Sequence, residues 1–157
     1  MAGSLTVEQS RAIPVNPAEA FHRTAPMHLP TLFRRWYGPI PPVREVLDQT
    51  GDWDRAGQTR TVVLAGAGTM FEELTSYDPP TSFEYRLTRI TGPLAPVISR
   101  VEADWRFQPA GTGTRVTWRW TIVPKAALAA PVLPALGRLW RGYARRSLEE
   151  LSDQLVG

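Results

Sequence analysis

The sequence contains no cysteine, which excludes disulfides, thiolate zinc centres and cysteine nucleophiles together. No stretch approaches ~18 uninterrupted apolar residues, so no membrane span is expected. The start, Met1-Ala2-Gly3-Ser4-Leu5, lacks the basic-then-apolar run of a signal peptide, and a cytoplasmic location is expected. Surplus charge is scarce too. Eighteen basic against 15 acidic residues leave +3, a weak field. The high calculated pI of 9.8 reflects arginine, since Lys125 is the only lysine. The nearest approach to a basic stripe is Arg138, Arg141, Arg145 and Arg146. Glu149, Glu150 and Asp153 follow directly, so the segment reads as a solvated helix face and no nucleic-acid partner is expected.

What is present is an ordinary globular balance. The 157 residues are 43% hydrophobic and 10% aromatic, enough for one domain over 1–157 with a sizeable core. Ser4 to Ile13 alternates as a strand, although Gln9 and Arg11 share the apolar parity of Leu5, Val7 and Ile13. Asn16-Pro17-Ala18-Glu19 is a capped helix start. A second short helix is predicted to hold Leu32, Phe33, Trp36 and Tyr37, stopped by Gly38-Pro39-Ile40-Pro41-Pro42. Strands follow at about 43–50, 57–65, 69–77, 82–91, 100–108 and 114–123, joined by short turns that imply a meander. One of these turns is Gly66-Ala67-Gly68. Val116, Trp118, Trp120 and Ile122 share a face, as do Val101, Ala103, Trp105 and Phe107, and each set is backed by polar residues. From Leu136 to Leu155 apolar residues recur at three and four, predicting a helix of roughly 20 residues, long enough to lie across a sheet. The fold class is α+β, a seven-stranded curved antiparallel sheet in the order β-α-α-β-β-β-β-β-β-α around that C-terminal helix.

This order, with Pro17-Ala18-Glu19-Ala20-Phe21 after the first strand, resembles the helix-grip fold of the START/Bet v 1-like (SRPBCC) superfamily, polyketide cyclase/dehydrase-like branch. The matching residues continue with Gly57-Gln58-Thr59-Arg60, then Glu72 and Glu73 ahead of Tyr77-Asp78-Pro79-Pro80, then Phe83-Glu84-Tyr85. Gly113-Thr114-Arg115-Val116-Thr117-Trp118 precedes the long helix. The resemblance implies a deep apolar cavity that takes a lipid, polyketide or other hydrophobic small molecule, with catalysis in a minority of members.

Within that frame, Arg60 faces Glu72 or Glu73 across the Gly66-Ala67-Gly68 hairpin, depending on register. With a three-residue turn, Arg60 and Glu72 share a face with Val62 and Met70. The pair then either lines the cavity and holds a ligand's polar end or forms a surface ion pair. Arg11 is expected to turn to solvent at a bulge. His22 reads as a solvated helix position. His28 borders the cavity in the implied fold and is a candidate hydrogen-bond donor; with Glu72 it is the candidate acid–base residue. Tyr85 and Trp118, on strands placed mid-sheet, are the rings expected to touch a ligand. Trp36, Trp105, Trp120, Trp140 and Tyr143 complete the candidate lining. No metal set is present: two histidines six apart across a proline are not a ligand pair. No cofactor is implied, and monomer and dimer are equally compatible. The expected function is a carrier or sensor of a hydrophobic small molecule. The alternatives are an aromatase/cyclase-type enzyme and a protein-interaction module.

Overall fold

A computed structural model describes residues 3–66 and 68–157. Met1 and Ala2, where no signal peptide is expected, and Ala67 of the expected hairpin turn lie outside the described residues. The chain runs β1 (Leu5–Ile13), α1 (Pro17–Thr24), α2 (Leu29–Leu32), β2 (Val43–Leu47), β3 (Thr59–Leu64), β4 (Thr69–Asp78), β5 (Ser82–Thr88), β6 (Ile98–Ala110) and β7 (Gly113–Pro124). A 3-10 turn (Ala127–Val132) leads into α3 (Leu133–Val156). One antiparallel sheet takes the order β1-β7-β6-β5-β4-β3-β2. β2 to β7 form the predicted meander, and β1 closes the sheet beside β7.

Alternation decides which face of the sheet is which. On β7 the inward Val116, Trp118 and Ile122 are buried, while Arg115 on the opposite parity is exposed and Arg119 and Thr121 are half-buried. The convex face carries charge in cross-strand rows: Arg86 bonds Glu102, and Arg119 pairs with Asp104. α1 starts where the sequence placed it, with the Asn16 side chain accepting from the Glu19 N–H at 2.9 Å. Its Phe21, fully buried, meets Tyr77, Phe83 and Phe107 edge-on at 5.3–5.8 Å and plugs one end of the concave side.

α3 packs against β1 and, to a lesser extent, β7. Gly137 permits this, since a Cβ there would lie 2.7 Å from Leu5 Cδ2 and 3.1 Å from Val7 Cγ1. Gln9, the polar residue on the inward parity of β1, donates to the Arg141 carbonyl of the helix at 3.1 Å. At the helix end Arg23 donates to the Leu155 and Gln154 carbonyls, both at 2.9 Å, satisfying acceptors the helix itself leaves open. The rod therefore lies along one flank of the concave face. The other flank is left for something else to cover.

Three sequence expectations need correction. The second helix is one turn only: Phe33 is its C-terminal cap, and Trp36 lies beyond it. Tyr37 instead pairs with Ile40 in an isolated bridge, because the prolines after Gly38 leave too few backbone donors for a helix. Pairing of β1 with β7 runs unbroken from Leu5 to Ile13, so no bulge turns Arg11 out. Arg11 is exposed nonetheless. β7 is next to the edge strand β1, so Trp118 is not mid-sheet; β5, which carries Tyr85, is the central strand.

Candidate functional site

An apolar cavity of about 460 Å³, open at one end, occupies the flank that α3 does not cover. Its floor is the inward face of β3 to β7. One wall is Leu136, Leu139, Trp140 and Tyr143 of α3, and the roof is α2 with the segment after it, from Leu32 and Phe33 to Trp36, Pro39, Ile40 and Pro41. The proline-rich stretch that stops α2 is thus the lid material. Exposed lining residues (Trp36, Pro39, Gly66, Thr91 and Pro93) all lie at one end of the sheet, where β3 turns into β4 and β5 leads to β6. That end is the mouth. Trp36 is 56% exposed.

The register settles the alternative left open for Arg60. It pairs with Glu72, and Val62 with Met70, and the Leu64 N–H donates to the Gly68 carbonyl at 3.0 Å. Both charged side chains point inward and are 5% exposed. Arg60 Nε and Nη2 meet the two Glu72 oxygens at 3.1 and 3.3 Å, and Nη1 donates to Gln49 at 3.3 Å. The guanidinium also lies 3.8 Å from the ring centroid of Trp53, a cation–π contact. Trp53 is buried and adopts φ 59°. Sequence reasoning missed both Gln49 and Trp53, since Trp53 reads only as part of a turn. No periodicity marks a turn tryptophan as the seat of an arginine.

The second polar feature is a hydrogen-bonded triad. Tyr85, Ala103 and Trp120 lie on one rung across β5, β6 and β7. Ala103 is small enough for the rings on either side to reach over it. The Tyr85 hydroxyl oxygen accepts from Trp118 Nε1 at 2.9 Å and from Trp120 Nε1 at 3.2 Å. Burial, and secondarily the Glu72 carboxylate, push the Tyr85 phenol well above its usual range; the two indole bonds and Arg60 pull the other way. Burial does the same to Tyr143, with a smaller push from Tyr85. Both phenols are therefore neutral at any ordinary pH.

Trp105 stacks on Trp118 at 5.0 Å, and Trp140 approaches Trp118 and Trp120 at 5.0 and 5.5 Å. The tryptophans thus touch the helix directly on the β7 side, and the void lies beyond that contact. Arg60, Glu72, Tyr85, Trp118, Trp120, Trp105, Trp36, Trp140 and Tyr143 all line it. His28 does not. It is exposed at the N-terminal cap of α2, outside the lining, because the chain turns it outward between Pro26 and Pro30 while Met27 and Leu29 face the cavity. The acid–base pair of Glu72 with His28 is thereby removed. His22 is exposed, as expected.

No helix among the described residues is long and apolar enough to cross a membrane. A search of curated protein sequences finds no match. Among solved structures, norcoclaurine synthase from Thalictrum, a point mutant in complex with a transition-state analogue, aligns at TM-score 0.74 with 11% identity, covering 98% of this chain and 94% of that one. Major latex-like protein 151 from Panax ginseng aligns at 0.70 with 11% identity, over 98% and 99%. A protein from Thermus thermophilus aligns at 0.66 with 21% identity, over 97% of each chain. These likenesses fix the fold as the helix-grip fold. The family described as polyketide cyclase / dehydrase and lipid transport matches residues 4–156. With the match spanning nearly the whole chain, the chain belongs to this family.

Proposed function

We propose that the protein binds a hydrophobic small molecule in this cavity, as a carrier or sensor, in the manner its family suggests. The observation that carries the reading is the cavity volume of about 460 Å³ with an aromatic and aliphatic lining. An apolar void of that size exceeds what packing defects leave in a protein interior. Burying ~300 Å² of apolar ligand at ~25 cal/mol per Å² offers several kcal/mol before association costs, so micromolar affinity needs no further chemistry. The test is native mass spectrometry of the protein as purified, followed by thermal unfolding across a panel of lipids and polyketides. A retained organic molecule, or an upward shift that saturates with ligand, supports the reading. No adduct and no shift across the panel overturns it.

One observation favours a catalytic reading: a buried carboxylate, Glu72, lies close to a buried phenol, Tyr85. Against it, both Glu72 oxygens are already engaged by Arg60, and His28 is outside the cavity. Turnover of a poly-β-keto substrate that disappears in Glu72→Gln would establish catalysis; binding without turnover leaves the carrier.

A further inference from the structure

We infer that the cavity selects a ligand whose buried end is a neutral acceptor oxygen, as in a ketone, quinone or ester, received by the hydroxyl hydrogens of Tyr85 and Tyr143. The inference rests on the cavity-binding reading and adds the chemistry of the end that goes in first.

Hydrogen direction at Tyr85 follows from chemistry alone. An indole N–H can only donate. With Trp118 and Trp120 both donating to it, the Tyr85 oxygen has spent its acceptor capacity. All that remains is its own hydrogen, and no described residue accepts it. Tyr143 is 9% exposed, its hydroxyl has no partner among the described residues, and its ring lies 6.2 Å from that of Trp118. Two phenol O–H groups are thus held around one indole in the cavity wall, each lacking an acceptor. Both residues line the cavity, so a ligand oxygen can accept these hydrogens there.

Charge is excluded by the same wall. The Arg60 guanidinium is occupied by Glu72, Gln49 and the face of Trp53. Glu72 has each oxygen on the guanidinium. The pair neutralises itself, so a carboxylate or ammonium brought in by a ligand would be buried without a counter-ion. An alcohol also fares better than an ion, because the Tyr143 oxygen, unlike that of Tyr85, is free to accept its hydrogen. Ketone and alcohol are both expected to bind ahead of carboxylate.

The probes are undecan-2-one, undecanol, undecanoate and undecane, with binding followed by tryptophan fluorescence in wild type and Tyr143→Phe. Expected is a loss of about tenfold in undecan-2-one affinity in the variant, the worth of one buried hydrogen bond, with undecane affinity unchanged. Carbonyl-labelled undecan-2-one provides a second readout that needs no variant: its infrared stretch moves to lower frequency in wild-type protein when O–H donors hold it. An unshifted stretch, equal losses for ketone and alkane, or undecanoate binding more tightly than undecan-2-one at pH 8 overturns the inference while leaving the cavity reading intact. Failure of every probe to bind, undecane included, overturns both.

Discussion

The hydroxyl oxygen of Tyr85 and the indole nitrogen of Trp118 lie 2.9 Å apart although their strands are not neighbours: β6 runs between β5 and β7. Side chains bridge where the backbone does not, because Ala103 on the middle strand leaves the space above it open. Replacement by Leu fills that space. Ala103→Leu is expected to cost about 1–3 kcal/mol by overpacking and to abolish binding of hydrophobic probes, as read by urea unfolding and by fluorescence titration.

The Arg60–Glu72 pair predicts a non-additive result. Removing one partner leaves a buried charge uncompensated, so Arg60→Met is expected to destabilise by about 3–5 kcal/mol. The double variant Arg60→Met/Glu72→Leu should lose much less, since two apolar side chains suit the surrounding wall. Arg86→Ala, which breaks a half-exposed pair with Glu102, is expected to cost under ~1 kcal/mol. Urea unfolding of the four proteins measures the contrast.

Alkaline pH gives a third expectation. Tyr85 and Tyr143 titrate above the usual phenol range in the folded protein, near about 10 in the unfolded chain. Below pH 10 both states hold these protons and stability is unaffected. Above it the unfolded state ionises first and binds fewer protons, so stability falls as pH rises. Phenolate absorbance from these two tyrosines should appear only together with loss of the fold, and the slope of stability above pH 10 should flatten in Tyr143→Phe.

Much of this was legible in the sequence because one signal, alternation, sorts both strands and faces. It ordered the meander, put Val116, Trp118, Trp120 and Ile122 together, and gave the Arg60–Glu72 register once the hairpin length was set. Asn16 and Pro17 marked the start of α1 by capping chemistry alone. What stayed hidden depends on contacts between distant segments. Trp53 is a turn residue whose burial comes from a guanidinium brought over it by β3. His28 was placed at the cavity by the fold's outline, but the local turn between two prolines decides its direction, and that turn has no periodic signature. The offset of α3 towards β1 comes from Gly137, which on a helical pattern is only a gap in the apolar stripe.

Gly137→Ala tests that offset. Helix propensity alone favours Ala by about 1 kcal/mol, yet the added methyl meets Leu5 and Val7. A net loss of stability is expected, with recovery in the double variant Leu5→Ala/Gly137→Ala relative to Leu5→Ala alone. Thermal unfolding of the four proteins decides it; a Gly137→Ala protein more stable than wild type would show that the helix can shift without cost.

At the mouth, Trp36 is mostly solvated, its ring facing Gly66 across the opening. Trp36→Ala is expected to leave stability within ~0.5 kcal/mol of wild type while raising both association and release rates of a bound probe. Stopped-flow fluorescence separates this from a change in affinity.

The placement of the opening also gives the molecule an electrical head and tail. Segments 35–43, 88–99 and 124–139, at the open end, contain Arg35, Arg89, Lys125 and Arg138 and no carboxylate. The loops at the opposite pole contain Asp48, Asp52, Asp54 and Asp78 against Arg55. A small net charge therefore conceals a long dipole. Such a separation of charge would turn the open end toward a negatively charged surface, and added salt weakens that bias over a Debye length of about 8–10 Å.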